Sequence, residues 1–354
     1  MSAGREWRRK ECEVSTIGPA ERLVERRLAF TLFEGYAVSS IVAFFEMSGL
    51  LTLLEADGID EQIIIDRAPD EVALLRASLR YLAQRGILRE CAGVFTLSPY
   101  GREVCRDKGY LVWLVGGYGE PLRRVDSFLA GIKRYGVDYV RDDKWVARGA
   151  ALLGGKDVVP TAKNLLRQIT FDRVLDLGCG NAHLLTSICQ DFDACGVGID
   201  ISSEACADAK KLVARAGMAD RVAIIQADAA EVDKIDELAS INLVVAFFLL
   251  HEILAQGRET LARYLTKMAR ILPAGAYLLI AEVEPAADWP AHPEKFTPEF
   301  TYVHALMRQI LLPAADWMDL LKNSGFTMRS VQRNDMPGGI LMLAQTGERS
   351  RVTS

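Results

Sequence analysis

The chain has 354 residues, 50% hydrophobic and 25% charged, which leaves room for two domains with a sizeable core and matches an ordinary globular balance. A formal charge of -5 excludes the concentrated positive field that nucleic acid or an anionic membrane surface requires. Its seven cysteines are scattered and include no Cys-x-x-Cys pair, which excludes a disulfide framework and a thiolate zinc site.

In chain order, residues 1–18 read as a polar, disordered arm with no apolar stretch behind the basic Met1–Lys10. From Ala20 to Leu54 apolar residues recur at helical spacing. The part Ala37–Phe45 is apolar nearly all round, as a helix buried on several sides or against a second subunit would be. A helix over Asp70–Gln84, a Gly86 cap and strands Ile87–Glu90 and Val94–Leu97 then give a winged-helix pattern, so 19–105 reads as a winged-helix dimerisation domain. Its charges are mixed rather than a basic stripe, which favours dimerisation over DNA binding. A glycine-interrupted helical connector follows over 106–170.

Beyond it the pattern alternates. Strand Arg173–Leu177, helix Ala182–Cys189, strand Ala194–Ile199, helix Ser203–Ala216 and strand Val222–Gln226 come first. Strand Leu243–Phe248, helix Arg258–Ile271, strand Ala276–Val283, helix Pro313–Ser324 and two closing strands near Thr327–Val331 and Ile340–Ala344 complete it. The succession implies an α/β fold with a doubly wound, mostly parallel Rossmann-like sheet over 171–348. The longest apolar run, Leu243–Leu250, is too short to span a bilayer, so a cytoplasmic location and no membrane partner are expected.

In such a sheet a ligand binds beyond the carboxyl ends of the strands. Asp176 and the Gly178-Cys179-Gly180 turn follow the first strand, Asp200 ends the second, Asp228-Ala229 ends the third and Phe247 ends the fourth. Glycines let a ligand approach the backbone closely. An acid inside the turn repels phosphate and favours a cationic amino-acid group, the preference of S-adenosylmethionine (SAM). A dinucleotide fingerprint would want a small residue three positions after Gly180, where bulky His183 stands. With Asp176, Gly178, Gly180, Asp200, Asp228, Ala229 and Phe247 as cofactor-binding candidates, the segment resembles the class I SAM-dependent methyltransferases.

Of four histidines, His183 reads as a helix-surface residue near the cofactor and His292 as part of a rigid loop. His251 lies just beyond the fourth strand, in Phe247-Phe248-Leu249-Leu250-His251-Glu252, facing the methyl donor. With Phe44-Phe45-Glu46-Met47-Ser48-Gly49-Leu50 and Leu97-Ser98-Pro99-Tyr100-Gly101, this fragment resembles small-molecule methyltransferases that join a winged-helix dimerisation domain to a SAM domain. In their O-methyltransferase members the matching histidine is a general base, usually followed by Asp-Trp; here Glu252-Ile253 stand instead. The chain is more similar to the enzymes that methylate C3 of 2-oxo acids, such as those acting on phenylpyruvate or 2-ketoarginine.

That resemblance implies a homodimer whose metal, iron or zinc, is held by His251 and by His304 in Phe300-Thr301-Tyr302-Val303-His304. It further implies Trp113 lining the substrate and Arg141 holding its carboxylate. The expected reaction is C-methylation at C3 of a small 2-oxo acid through a metal-stabilised enolate, for β-methyl amino acids. The metal would act as a Lewis acid with positions left open for the substrate. Glu252 is expected as a third ligand or as the holder of a metal-bound water. A guanidino-bearing oxo acid is one candidate substrate, with Asp138, Asp142 and Asp143 to receive its guanidinium. The other reading is a metal-independent O-methyltransferase with His251 as base.

Overall fold

A largely apolar stretch whose only charged residues are Glu34 and Glu46, Leu28–Met47, forms the long helix α1. It stops where Gly49 takes a left-handed conformation (φ 76°) that a side chain would resist, and helix α2 (Leu50–Ala56) starts immediately after. The computed structural model to which these elements belong describes residues 28–231, 234–287, 291–295 and 297–347; the arm expected over 1–18 lies outside them. The chain divides into two compact units, one ending at Gly117 and the other beginning at Tyr118. That break falls inside the stretch read from sequence as a connector.

The first unit continues with α3 (Glu61–Arg67), capped by the Asp60 carboxylate on the Ile63 N–H, and α4 (Val72–Gln84). A hairpin of β1 (Leu88–Cys91) and β2 (Val94–Leu97) follows, turning through Ala92 and Gly93. Phe45, Leu51, Ile64, Leu79 and Leu82 fill its core. The segment Ser98-Pro99-Tyr100-Gly101 opens helix α5 (Pro99–Arg106) for definable reasons. Ser98 Oγ accepts from the Gly101 N–H at 2.8 Å, and Pro99 sits where its missing donor costs nothing. Gly101 lies so close to the Ile87 carbonyl that a Cβ there would overlap it. Helix α6 (Lys108–Leu111) and a π-helical turn, Val112–Gly117, end the unit.

On α1, Val42 and Phe45 are buried, whereas Leu28, Leu32, Phe33, Tyr36 and Phe44 are exposed. By length and composition alone this helix could cross a membrane. Judging only the longest uninterrupted run missed it, because Glu34 and the polar residues between the apolar ones break the run without changing its average.

The second unit opens with α7 (Gly119–Leu122), α8 (Val125–Leu129), α9 (Asp143–Asp157) and α10 (Val159–Leu166). Then β3 (Arg173–Leu177), α11 (His183–Asp191), β4 (Cys195–Asp200), α12 (Ser203–Arg215) and β5 (Val222–Gln226) wind to one side. β6 (Leu243–Phe247), α13 (Leu250–Leu254), α14 (Arg258–Ile271) and β7 (Tyr277–Val283) wind to the other. Helices α15 (Pro298–Leu306) and α16 (Ala314–Asn323) and the hairpin β8 (Phe326–Arg333) and β9 (Gly339–Thr346) finish it.

The seven-stranded sheet has the order β5-β4-β3-β6-β7-β9-β8, parallel through β7 and antiparallel at β9 and β8. This is the doubly wound α/β architecture expected, and its direction reverses between β3 and β6. The central strands are buried on both faces, so β6 reads as Leu-Val-Val-Ala without polar alternation, whereas the edge strand β8 alternates.

A Cβ at Gly101 would press on backbone rather than on a movable side chain. Gly101→Ala should therefore cost about 1–3 kcal/mol of stability, seen as a lower denaturant midpoint at unchanged slope.

Candidate active site

Where the sheet reverses, β3 delivers its last residues into a tight turn. Gly178 (φ 72°) and Gly180 (φ 53°) are both left-handed, and the N–H groups of Gly178 and Cys179 donate to the Ile199 carbonyl of β4. Asp200, the last residue of β4, ties the turn down: its carboxylate accepts from the Gly180 N–H at 2.8 Å and the Ser202 N–H at 2.9 Å. Asp176 stands opposite Gly198 in the β3–β4 pairing. Side-chain bulk at Gly198 would meet the Cys179 sulfur and Ile224, so the strands at this point must stay thin.

After β5, Asp228 accepts from the Ala230 N–H, and the Ala229 carbonyl accepts from the Tyr264 hydroxyl at 3.0 Å. Phe247 ends β6 with its ring edge-on to Phe248. The strand-end residues named from sequence thus share one edge of the sheet. Burial, and then the nearby Asp200, push the Asp176 carboxyl up to about 8.

Beyond β6 the chain turns sharply. Phe248 adopts φ 55°, uncommon for a bulky residue, and its N–H donates to the Ala281 carbonyl of β7. Helix α13 starts two residues later, so His251 and Glu252 lie on a helix rather than in the extension of a strand. His251 is buried, and Glu282 of β7 receives both its backbone N–H (3.2 Å) and its Nδ1 (2.8 Å). His304, buried on α15, has Nδ1 2.6 Å from the Phe300 carbonyl one turn earlier, which makes Nδ1 the donor. The two imidazoles meet edge to face, centroids 5.0 Å apart and planes at 75°.

Their electrostatics differ. Burial opposes charge on His251, but the Glu282 carboxylate outweighs it and raises the pKa, with Glu252 adding to the effect. Burial and the neighbouring His251 lower His304 to about 4, so its imidazole is neutral. The Arg141 charge bears on both rings.

Arg141 itself donates from Nη2 to Glu252 (2.8 Å) and from Nε to Asp143 (2.9 Å), and its side chain bonds to the Tyr118 hydroxyl. Burial opposes its charge, yet Glu252 and then Tyr118 outweigh that and raise its pKa. Burial above all drives the Tyr118 hydroxyl up to about 12, so it stays protonated.

Glu252 is not grouped with the histidines as a third ligand; its carboxylate is engaged by Arg141, and among the described residues no cluster of three or more His, Cys, Asp or Glu side chains is placed to hold a metal ion. Asp138, Asp142 and Asp143 each have a partner within this chain. Asp138 takes the Arg134 N–H and Lys133, Asp142 caps α9, and Asp143 pairs with Arg141. Trp113 is buried on the π-helical turn of the first unit. His183 opens α11 and His292 is exposed beside Glu294. Glu282 and Tyr118 were not singled out from sequence. A single acid inside the apolar run Tyr277–Val283 was the available signal for Glu282; nothing local marked Tyr118.

A doubly wound sheet whose reversal point carries a glycine turn and three strand-end acids defines a class, and the chain is a SAM-dependent methyltransferase. Residues 171–325 match the family model described as a methyltransferase domain. Among curated proteins the chain is 28% identical over 283 residues to indolepyruvate C-methyltransferase of Streptomyces griseus, covering 78% of this chain and 82% of that one. It is 25% identical over 236 residues to methyltransferase ungE' of Aspergillus campestris, covering 63% and 68%.

Solved structures share the fold. LaPhzM superposes with a TM-score of 0.63 at 19% identity, over 90% of this chain and 99% of that one. An O-methyltransferase family protein from Burkholderia thailandensis gives 0.63 at 13%, over 93% and 99%.

A carboxyl pushed up to about 8 has a testable consequence. Its unfolded value is about 3.9, so the free protein should lose stability from Asp176 as pH rises from about 4 to 8, where only the folded state still holds the proton. The ammonium and sulfonium of SAM favour the carboxylate, so SAM binding near pH 7 should release a proton. Calorimetry in buffers of different ionisation enthalpy reads this, and Asp176→Asn should abolish the buffer dependence. Equal heats in all buffers for the unaltered protein would refute it.

Proposed function

We propose that this protein is a C-methyltransferase that places a methyl group on C3 of a small aryl-bearing 2-oxo acid, as a homodimer in the cytoplasm. The observation that carries the reading is the paired imidazoles of His251 and His304. Each has Nδ1 committed to an acceptor, Glu282 or the Phe300 carbonyl, which leaves Nε2 of each ring as the nitrogen available to a ligand. Metal-binding histidines are held in this manner, by a carboxylate or a backbone carbonyl behind the ring. The donor set therefore fits one iron or zinc ion held by two imidazoles, with remaining positions for a bidentate substrate. The similarity to an indolepyruvate C-methyltransferase supports the substrate class.

The chain's residues then divide the work. Asp176, Asp200 and Asp228, with the Gly178–Gly180 turn, Ala229 and Phe247, hold SAM at the reversal point. Arg141, kept charged and backed by Tyr118, takes the substrate carboxylate in a charge-assisted fork. When bound, the metal would act as a Lewis acid on the 2-oxo acid, making the C3 proton easier to lose. Balance requires that C3 lose a proton and gain the methyl while the S–CH3 bond breaks, giving S-adenosylhomocysteine. C3 must sit about 3–3.5 Å from the methyl, in line with that bond.

The engagement of Asp138, Asp142 and Asp143 favours an apolar substrate side chain over a guanidinium. We read the exposed apolar face of α1 as the surface a second copy covers, with the winged-helix pattern of the first unit serving dimerisation. Trp113 is kept as a candidate substrate-lining residue on the strength of the resemblance.

A second reading has its own observation. An imidazole whose Nδ1 is backed by a buried carboxylate is also a competent general base, so His251 with Glu282 suits an O-methyltransferase without metal. The two separate cleanly. A panel of 2-oxo acids with SAM, read by mass spectrometry, should show a 14-dalton gain on carbon. Activity should fall at least about a hundredfold on chelation, return with iron or zinc, and be lost in His304→Ala. Full activity in thoroughly demetallated protein, or methylation confined to hydroxyl groups, would overturn the C-methyl reading.

A further inference from the structure

Arg141 is the cation on which the proposed function relies, yet in this structure its Nη2 edge is already occupied. Glu252 Oε1 sits 2.8 Å from it, in the manner of a carboxylate. The surroundings explain why an internal anion is needed. A guanidinium whose side chain is only 25% exposed is costly to leave unpaired. Asp143 satisfies the Nε edge from the solvent side, and Tyr118 supplies a neutral hydroxyl. The remaining edge goes to Glu252.

Glu252 differs from the other acid near the histidines. Glu282 is 1% exposed and doubly bonded to His251, so it cannot leave. The Glu252 side chain is 38% exposed on a five-residue helix, and its ion pair among the described residues is the one with Arg141. It can therefore exchange that partner for water at small cost.

We propose that Glu252 is the internal occupant of the Arg141 carboxylate site, and that a substrate acid binds by exchanging places with it. The exchange sets specificity. It swaps one carboxylate for another on Arg141, so an acid pays only the difference between two similar ion pairs, while an ester or amide has nothing to exchange. It also keeps acids from binding so tightly that product release slows, because the displaced carboxylate stays one residue from His251 and competes for return. This rests on the reading of Arg141 as the carboxylate holder.

Binding of an aryl 2-oxo acid, its methyl ester and the plain aryl-propionic acid lacking the keto group would be measured by calorimetry. The full-length chain loaded with S-adenosylhomocysteine would serve, as the unaltered protein, Glu252→Gln, Arg141→Ala and the double variant. Glu252→Gln should tighten both acids roughly tenfold and leave the ester within about twofold. Arg141→Ala should weaken the acids, and Glu252→Gln should gain nothing on that background.

Glu252→Gln weakening the acids, or shifting ester and acid alike, would overturn the exchange. So would a tightening that persists without Arg141. The 2-oxo acid reading fails separately. If the keto acid binds no better than the plain acid while Glu252→Gln tightens both, the exchange stands and the substrate class falls. If the keto acid is preferred and Glu252→Gln tightens neither, the substrate class stands and the exchange falls.

Discussion

A carboxylate within an apolar strand survives burial only when it is partnered, and Glu282 of β7 meets that condition through His251. The two bonds between them pin the first turn of α13 to the sheet and decide which ring nitrogen His251 turns outward. The pairing depends in turn on register. Phe247 of β6 lies opposite Ala281, so the chain leaving β6 passes beside residue 282, and the turn at Phe248 hands it back toward β7. A shift of one residue in that parallel pair would present the other face of β7 and leave both the acid and the imidazole without a partner.

The two ends of the site carry opposite charge for a reason that follows from the chemistry. Asp176, Asp200 and Asp228 gather at the ends of β3, β4 and β5, the side suited to a cationic donor. Arg141 and the imidazoles gather past β6, the side suited to an anionic acceptor. The sheet winds outward in both directions from β3 and β6, so the acids lie on one side of the reversal and the histidines on the other, where Arg141 joins them from the segment before α9. Burial is the main cost of placing an acid there, with the neighbouring Asp200 adding to it, and the raised Asp176 pKa expresses both.

Much of this was legible in the chain. The central strands are apolar on both faces and punctuated by glycine or acid, and Arg173–Leu177 and Val222–Gln226 were read with the boundaries observed. Val94–Leu97 and Arg258–Ile271 matched too, and the others shifted by one or two residues at one or both ends. Helix α13 was not legible, because Leu249-Leu250 continues the apolar run of β6 and the break before it depends on a positive φ at Phe248, which a phenylalanine does not announce. Helix α3 was missed as well, its seven residues being too short for a periodicity to declare itself. His251 and His304 could be named as residue types. Their 5.0 Å approach could not be derived, since it depends on where α15 is set against α13. The Arg141–Glu252 pair spans 111 residues of sequence and joins two segments with no pattern in common.

Glu252 shows how one methylene alters a site. O-methyltransferases resembling this chain usually place Asp after the histidine, and an aspartate at this point on α13 would hold its carboxylate closer to its own backbone. Glutamate reaches further, and here that reach ends at the Arg141 guanidinium. The helix bearing His251 is thereby tied to the segment that precedes α9, so the carboxylate clamp and the imidazole pair cannot move independently while the bond holds. On the exchange proposed above, an incoming anion would have a double effect, since it would take the Arg141 edge and release α13 from it. Coupling of this kind would need no long relay through the core, because the Glu252 carboxylate lies between Arg141 and the helix that carries His251.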